Sequence, residues 1–463
     1  MGCSNSNNEN GKAEEQSDHY YLPGEKNDPN DIYKYKPISK SNSKSNIKAN
    51  QKGKSNKNEN KSIIKIKHEK KSNNISTNFI SKGKAPLKKV NNQINFVLEI
   101  KRGKFDKKDF LDKEIYFLDN KYYIDNTNCN KVHDGLRELN QSNAELVINR
   151  VKYPFQKFFK FREEGEYNVS INLKVAITDC SNMFYGSKYL KSVDFTYFCS
   201  EYVNYMIGMF NGCENLRYIN LTKFNVGNVI DMSYMFNNCT KLTAINLSML
   251  NTQYVNDMSY MFKNCENLTN LNLYNLNTES VTDMSHMFDF CSKLSYLDIT
   301  SLNSQNVTNM SYMFHSCLEL TDIDLSKLNT TNVSDMSSMF ENCAGIKSID
   351  LSSLDTKNVT NMESMFSGCF NLSNILMPYD TQSVTNISLM FNDCKRLAKL
   401  DLSFLEVKNI IYARNIFKYC SNLKKIILNN DNYSVIERAL RWDEIEPEIE
   451  VSWFYNLLYI INE

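Results

Sequence analysis

Between residues 179 and 428 apolar and polar positions recur in one order. The stretch from Val229 to Leu247 reads VIDMSYMFNNCTKLTAINL, and that from Val255 to Leu273 reads VNDMSYMFKNCENLTNLNL. Cys213, Cys239, Cys265, Cys291, Cys317, Cys343 and Cys369 stand 26 residues apart; Cys394 follows after 25 and Cys420 after 26 more. A fixed period of this length predicts stacked units, each burying its apolar face on its neighbours. In each unit Leu242, Ile245 and Leu247, or their equivalents, form a short strand, and parallel copies stack into one sheet. Asp231, Asp257, Asp283 and Asp335 each precede Met-Ser-x-Met-Phe, where a short polar residue caps the free N–H groups of a helical turn. There Met232, Met235 and Phe236 fall at i, i+3 and i+4 and share one face. The predicted fold is an α/β repeat, a ten-copy solenoid with a parallel sheet and short helical turns.

The pattern differs outside the array. Residues 91–178 alternate in β fashion at 94–100, 114–118, 145–148 and 166–173, while Val132, Leu136 and Leu139 suggest one short helix over 131–139. This is a small β-rich α+β module leading into the first repeat, with capping of the solenoid core as its expected role. Residues 429–463 break the period: a helix is expected over 435–442 and a strand over 449–455. They hold both tryptophans, Trp442 and Trp453, as suits an apolar end-cap.

Charge changes the picture at the N-terminus. The net charge is +1, yet residues 1–90 carry 19 Lys against 9 acidic side chains. Between Tyr33 and Val90 the only acids are Glu59 and Glu69. Such a tail is predicted to be disordered. Its near-lack of aromatic residues from Pro37 to Asn78 gives no base-stacking platform, so nucleic acid is not an expected partner. Met1-Gly2-Cys3-Ser4-Asn5-Ser6 fits N-myristoylation at Gly2, with Cys3 placed for palmitoylation. One acyl chain binds membranes marginally, and a lysine tract adds attraction to an anionic leaflet. No apolar segment suggests a secretory signal or a membrane span. The nine column cysteines are therefore read as buried free thiols acting as small hydrophobes. No catalytic motif, metal-ligand framework or cofactor loop is evident; no catalytic residue, metal site or cofactor is expected.

Two rows remain as candidate surfaces. The outward strand position runs through Asn246, Asn272, Asp298, Asp324, Asp350 and Asp401. Copies about 5 Å apart make it an acidic stripe for a basic partner, the chain's own lysine tail or divalent cations, or simply a row of soluble consensus residues. On the other side Tyr234, Tyr260 and Tyr312 form a row with His286, either an aromatic recognition strip or packing between neighbouring turns. His286 and His315 sit at variable repeat positions and are not read as a metal pair.

The segments from Asn306 to Cys317 (NVTNMSYMFHSC) and from Asn358 to Cys369 (NVTNMESMFSGC) resemble the leucine-rich repeats of the BspA-like surface-protein family. The residues around Tyr116–Asn120 and Glu163–Tyr167 are similar to the lead-in of its protist members. The resemblance implies a leucine-rich-repeat horseshoe with protein-binding or adhesive roles and no known catalysis. Copy one departs from the pattern with Ser187 at the cysteine position. The combined expectation is a non-enzymatic, monomeric leucine-rich-repeat scaffold, lipid-anchored at the cytoplasmic face of a membrane and binding a protein partner. The alternative is a surface-exposed or secreted BspA-like adhesin.

Overall fold

The computed structural model describes residues 92–101, 113–118, 136, 139–403, 405–443 and 447–451. Gly2, Cys3, the lysine tract, most of the helix expected over 131–139 and the end of the last expected strand lie outside the described residues.

The chain winds into a leucine-rich-repeat solenoid. Its strands lie side by side, and the three-residue ones bury only their central apolar side chain. They are β7 (Leu190–Asp194), β8 (Tyr218–Asn220), β9 (Ala244–Asn246), β10 (Asn270–Asn272), β11 (Ser348–Asp350), β12 (Asn374–Leu376), β13 (Lys399–Asp401) and β14 (Lys425–Leu428). Pairing is parallel and one coil out of step, as where Ile245 stands opposite Leu271 and Ile349 opposite Ile375. The ladder is interrupted after β8, β10 and β12; after β10 the next two coils meet through a single bridge, Tyr296 to Asp322.

The opposite side corrects one expectation. The Asp-Met-Ser-x-Met-Phe segment is a run of turns and not a helical turn. Alternate N–H groups leave the coil altogether: Met232, Tyr234, Phe236 and Asn238 donate to the carbonyls of Asp257, Ser259, Met261 and Lys263 at 2.8–3.0 Å. Tyr234 and Asn238 take φ of +58° to do this, and the same two left-handed columns run through the array. The aspartate still caps, but locally, its Oδ1 accepting the N–H two residues on, as Asp231 does from Ser233 at 2.9 Å. Backbone groups satisfied by the next coil make each coil a template for its neighbour.

Between the two sides lies the core. Phe184, Phe210, Phe236, Phe262, Phe288, Phe314, Phe340, Phe366, Phe391 and Phe417 stack ring on ring, with centroids 5.4–6.1 Å apart and planes within 13°. Burial of one such side chain contributes roughly 1.5–3 kcal/mol. From Cys213 to Cys420 each column thiol donates to the carbonyl of the phenylalanine one coil back, at 2.9–3.3 Å. Burial pushes these thiols well above their ordinary range. Cysteine thus fills the space of a small hydrophobe and supplies a weak donor.

Both ends of this arrangement are closed by residues that imitate a missing coil. At the N-terminal end β1 (Asn92–Ile100) pairs antiparallel with β7 and with β6 (Gly165–Leu173), and β3 (Ala144–Ile148) and β4 (Val151–Pro154) extend the same sheet. Ser187, at the cysteine position of the first coil, donates its hydroxyl to Phe117 of this module at 3.0 Å. A donor remains a donor although the residue changes. At the other end β15 (Glu448–Val451) pairs parallel with β14, and α1 (Tyr433–Trp442) precedes it. Asp443 accepts the Phe417 N–H at 2.8 Å, where an interior coil would offer a carbonyl. Within the N-terminal module two short strands, β2 (Ile115–Tyr116) and β5 (Phe158–Phe159), also pair; β4 and β5 were not anticipated from the sequence.

Candidate functional site

The strand face puts Asn246, Asn272, Asp298, Asp324 and Asp350 in an exposed column, with Asp401 half-buried and Leu376 interrupting the row. Each polar side chain has a local task. Oδ1 of Asn246, Asn272, Asp324 and Asp401 accepts the backbone N–H two residues on, at 2.9–3.0 Å. Asp298 and Asp350 add the hydroxyls of Thr300 and Ser352, each at 2.6 Å. A carboxylate has room for about four such bonds, so its second oxygen is left over; among the described residues Oδ2 of Asp298, Asp324 and Asp350 makes none. Hydrogen bonds from Thr300, Ser326 and Ser352 hold these three carboxyls below their usual range. These three carboxylates therefore stay ionised at neutral pH.

On the turn side Tyr234, Tyr260, His286 and Tyr312 stack face to face, with centroids 4.4, 4.3 and 4.4 Å apart and planes within 12°. All four have positive φ, +55° to +59°, a region that costs non-glycine residues roughly 1–2 kcal/mol. Aromatic contacts of about 0.5–1.5 kcal/mol per pair offset part of that. The ring faces are spent on one another, which leaves edges for any outside contact.

Sequence reasoning missed what lies beneath this stack. Lys263, Asp289 and His315 occupy one repeat position in three successive coils, and His286 reaches in from the aromatic row. The Asp289 side chain is 1% exposed and accepts from Lys263 Nζ at 2.6 Å, His286 Nδ1 at 2.7 Å and His315 Nδ1 at 2.6 Å. Because an ionised carboxylate only accepts, both imidazoles present a protonated Nδ1 to it. Burial raises the Asp289 carboxyl, but the two histidine hydrogen bonds and the Lys263 charge outweigh it and hold the group well below its ordinary range. The histidines are thus joined through a carboxylate. The signal was available by reading the variable position 263, 289, 315 down the copies. Among the described residues no three His, Cys, Asp or Glu side chains are arranged to hold a metal ion, and no helix is long and apolar enough to cross a membrane.

The arrangement offers a repeated, exposed, charged surface on a rigid support. A family model described as "Mycoplasma protein of unknown function, DUF285" matches residues 152–273, 266–349 and 342–442. None of the curated proteins matches. Similar solved structures include a leucine rich cell surface protein from Faecalibacterium prausnitzii, 17% identical, covering 61% of this chain and 79% of that one with a TM-score of 0.33. A leucine-rich repeat protein from Bacteroides ovatus is 17% identical, covering 63% and 90% with a TM-score of 0.30. The T. pallidum Leucine Rich Repeat protein is 18% identical, covering 48% and 81% with a TM-score of 0.27.

Proposed function

The chain belongs to the DUF285 family, and from that premise we propose that it is a non-enzymatic interaction scaffold, held at the cytoplasmic face of a membrane by acyl chains on Gly2 and Cys3. Its strand face receives a basic segment of a protein partner. The observation that carries this reading is the exposed column Asp298, Asp324, Asp350, whose carboxyls are kept ionised by their own turn residues. Parallel like charges repel, and an arriving cationic segment relieves that repulsion. The lysine tract of residues 34–89 adds to membrane attraction.

The side-chain amides of Asn306, Asn332 and Asn358, which each begin an Asn-x-Ser/Thr sequence, favour this reading over the secreted adhesin. They donate to the carbonyls of Glu279, Gln305 and Thr331 at 2.6–2.7 Å. A glycan would replace one of that nitrogen's two hydrogens and crowd the ladder, a poor arrangement for a chain passing the glycosylation machinery. Membrane fractionation of the full chain in a eukaryotic cell, beside Gly2→Ala and Cys3→Ser, tests the anchor. The wild type is expected in the membrane pellet and both variants in the supernatant. Three identical distributions would end the anchor reading, and glycosylated protein outside the cell would put the adhesin in its place.

A further inference from the structure

The fourth copy departs from the strand-face pattern with an aromatic residue. At the position two residues after the Asn/Asp column, most other copies carry Ser or Thr, as at Thr222, Ser248, Thr300, Ser326 and Ser352, while Pro378 and Asn429 stand there in two late copies. Such a hydroxyl can return to the column residue, as from Thr222 to Asn220 and from Ser352 to Asp350. The fourth coil has Tyr274 there, 77% exposed, and Tyr296 of the fifth, 66% exposed, lines the same cleft. Between them is a cleft of about 380 Å³ floored by Leu271 and edged by Asn272 and Asp298. It sits where the strand ladder stops after β10. Both rings stand in water and not against the core.

Charge selects the occupant. Asp298 is at the cleft, Asp322 is bridged to Tyr296, and Asp324 follows in the column. None of the three forms an ion pair among the described residues, and the nearby cation is Lys327, which acts on Asp324. A neutral saccharide would use the rings and hydrogen bonds but leave the charge of Asp322 and Asp324 uncompensated. We infer that the Tyr274–Tyr296 cleft clamps a cationic side chain of an extended basic peptide, arginine ahead of lysine. The guanidinium plane lies on the tyrosine faces, and its charge meets the second oxygen of Asp298. This rests on the strand-face reading above and gives it an anchor point.

The test is fluorescence anisotropy of the full chain with a labelled peptide of alternating arginine and glycine, and with its citrulline counterpart, which keeps shape and loses charge. Tyr274→Ser installs the residue type of most other copies and so preserves the turn. It is expected to weaken binding about 3- to 30-fold. Asp298→Asn, which keeps the Oδ1 acceptor, is expected to weaken it similarly, and the citrulline peptide is expected not to bind. If Tyr274→Ser binds as wild type does while Asp298→Asn and Asp324→Asn bind less, the clamp is overturned and the acidic stripe stands. Absence of arginine-peptide binding at low salt overturns both. Binding of a neutral oligosaccharide that depends on Tyr274, with no peptide binding, overturns the cationic occupant.

Discussion

Asp289 shows how one side chain can hold three coils together. Lys263 and His315 come from the coils on either side, His286 from the same coil, and all three donate hydrogen bonds to a carboxylate sealed from water. Removing one partner of a buried charge cluster leaves the others unpaired, which typically costs about 3–5 kcal/mol. Asp289→Ala should lose stability of that order at neutral pH, read by urea unfolding. The folded-state carboxyl lies below its unfolded value, so its contribution is present above the unfolded pKa, about 3.9. That contribution fades as pH falls through the lower folded value. The gap between wild type and variant should therefore shrink in acid below about pH 4. A gap of constant size from pH 7 to pH 3 would remove Asp289 from this role.

At the scale of the coil, the turn side is more demanding than the strand side. Left-handed steps recur at Tyr234 and Asn238 and at their equivalents because those N–H groups must face the next coil. A different constraint acts on Gly345. Its position carries Lys241, Asn267, Lys293, Glu319 and Asn371 in other copies, so nothing in the repeat calls for glycine. Yet a Cβ there would stand 2.5 Å from the Leu320 carbonyl oxygen and 2.9 Å from that of Leu318. Both neighbours are backbone and can yield only by moving the coil. Gly345→Ala should cost about 1–3 kcal/mol, seen as a lower thermal midpoint, whereas Lys293→Ala at the equivalent place should be near neutral. Equal midpoints for the two would contradict the close approach.

For the molecule as a whole, stability is a sum over coils and their interfaces. The phenylalanine stack runs from Phe184 to Phe417 and is the part of the core common to all of them. Phe288 sits at its centre, 0% exposed, 5.9 Å from Phe262 and 5.6 Å from Phe314. Phe288→Ala should cost about 3–5 kcal/mol and weaken coupling between the two halves. Calorimetry should then show a broadened or split transition where wild type unfolds in one. An unchanged single transition would mean that the stack is not what couples the coils. The closed ends matter in the same way, since Ser187 with Phe117 and Asp443 with Phe417 replace contacts that interior coils give each other.

The period, the inward columns and the atypical terminal copies were legible in the sequence because core packing repeats the same residue types at the same step. Strands at 94–100 and 166–173, the helix near 435–442 and the strand after it were legible for a related reason: their alternation or helical spacing is local. The left-handed turns were not, since tyrosine, histidine and leucine disfavour that conformation and only neighbouring coils enforce it. Nor were the Asp289 cluster and the Tyr274–Tyr296 cleft. Both depend on which variable residues of successive coils stand side by side, a matter of about 5 Å between coils and of some 26 residues along the chain. Periodic, local apolar pattern was written in the chain; meetings between non-repeating side chains were decided only when the coils stacked.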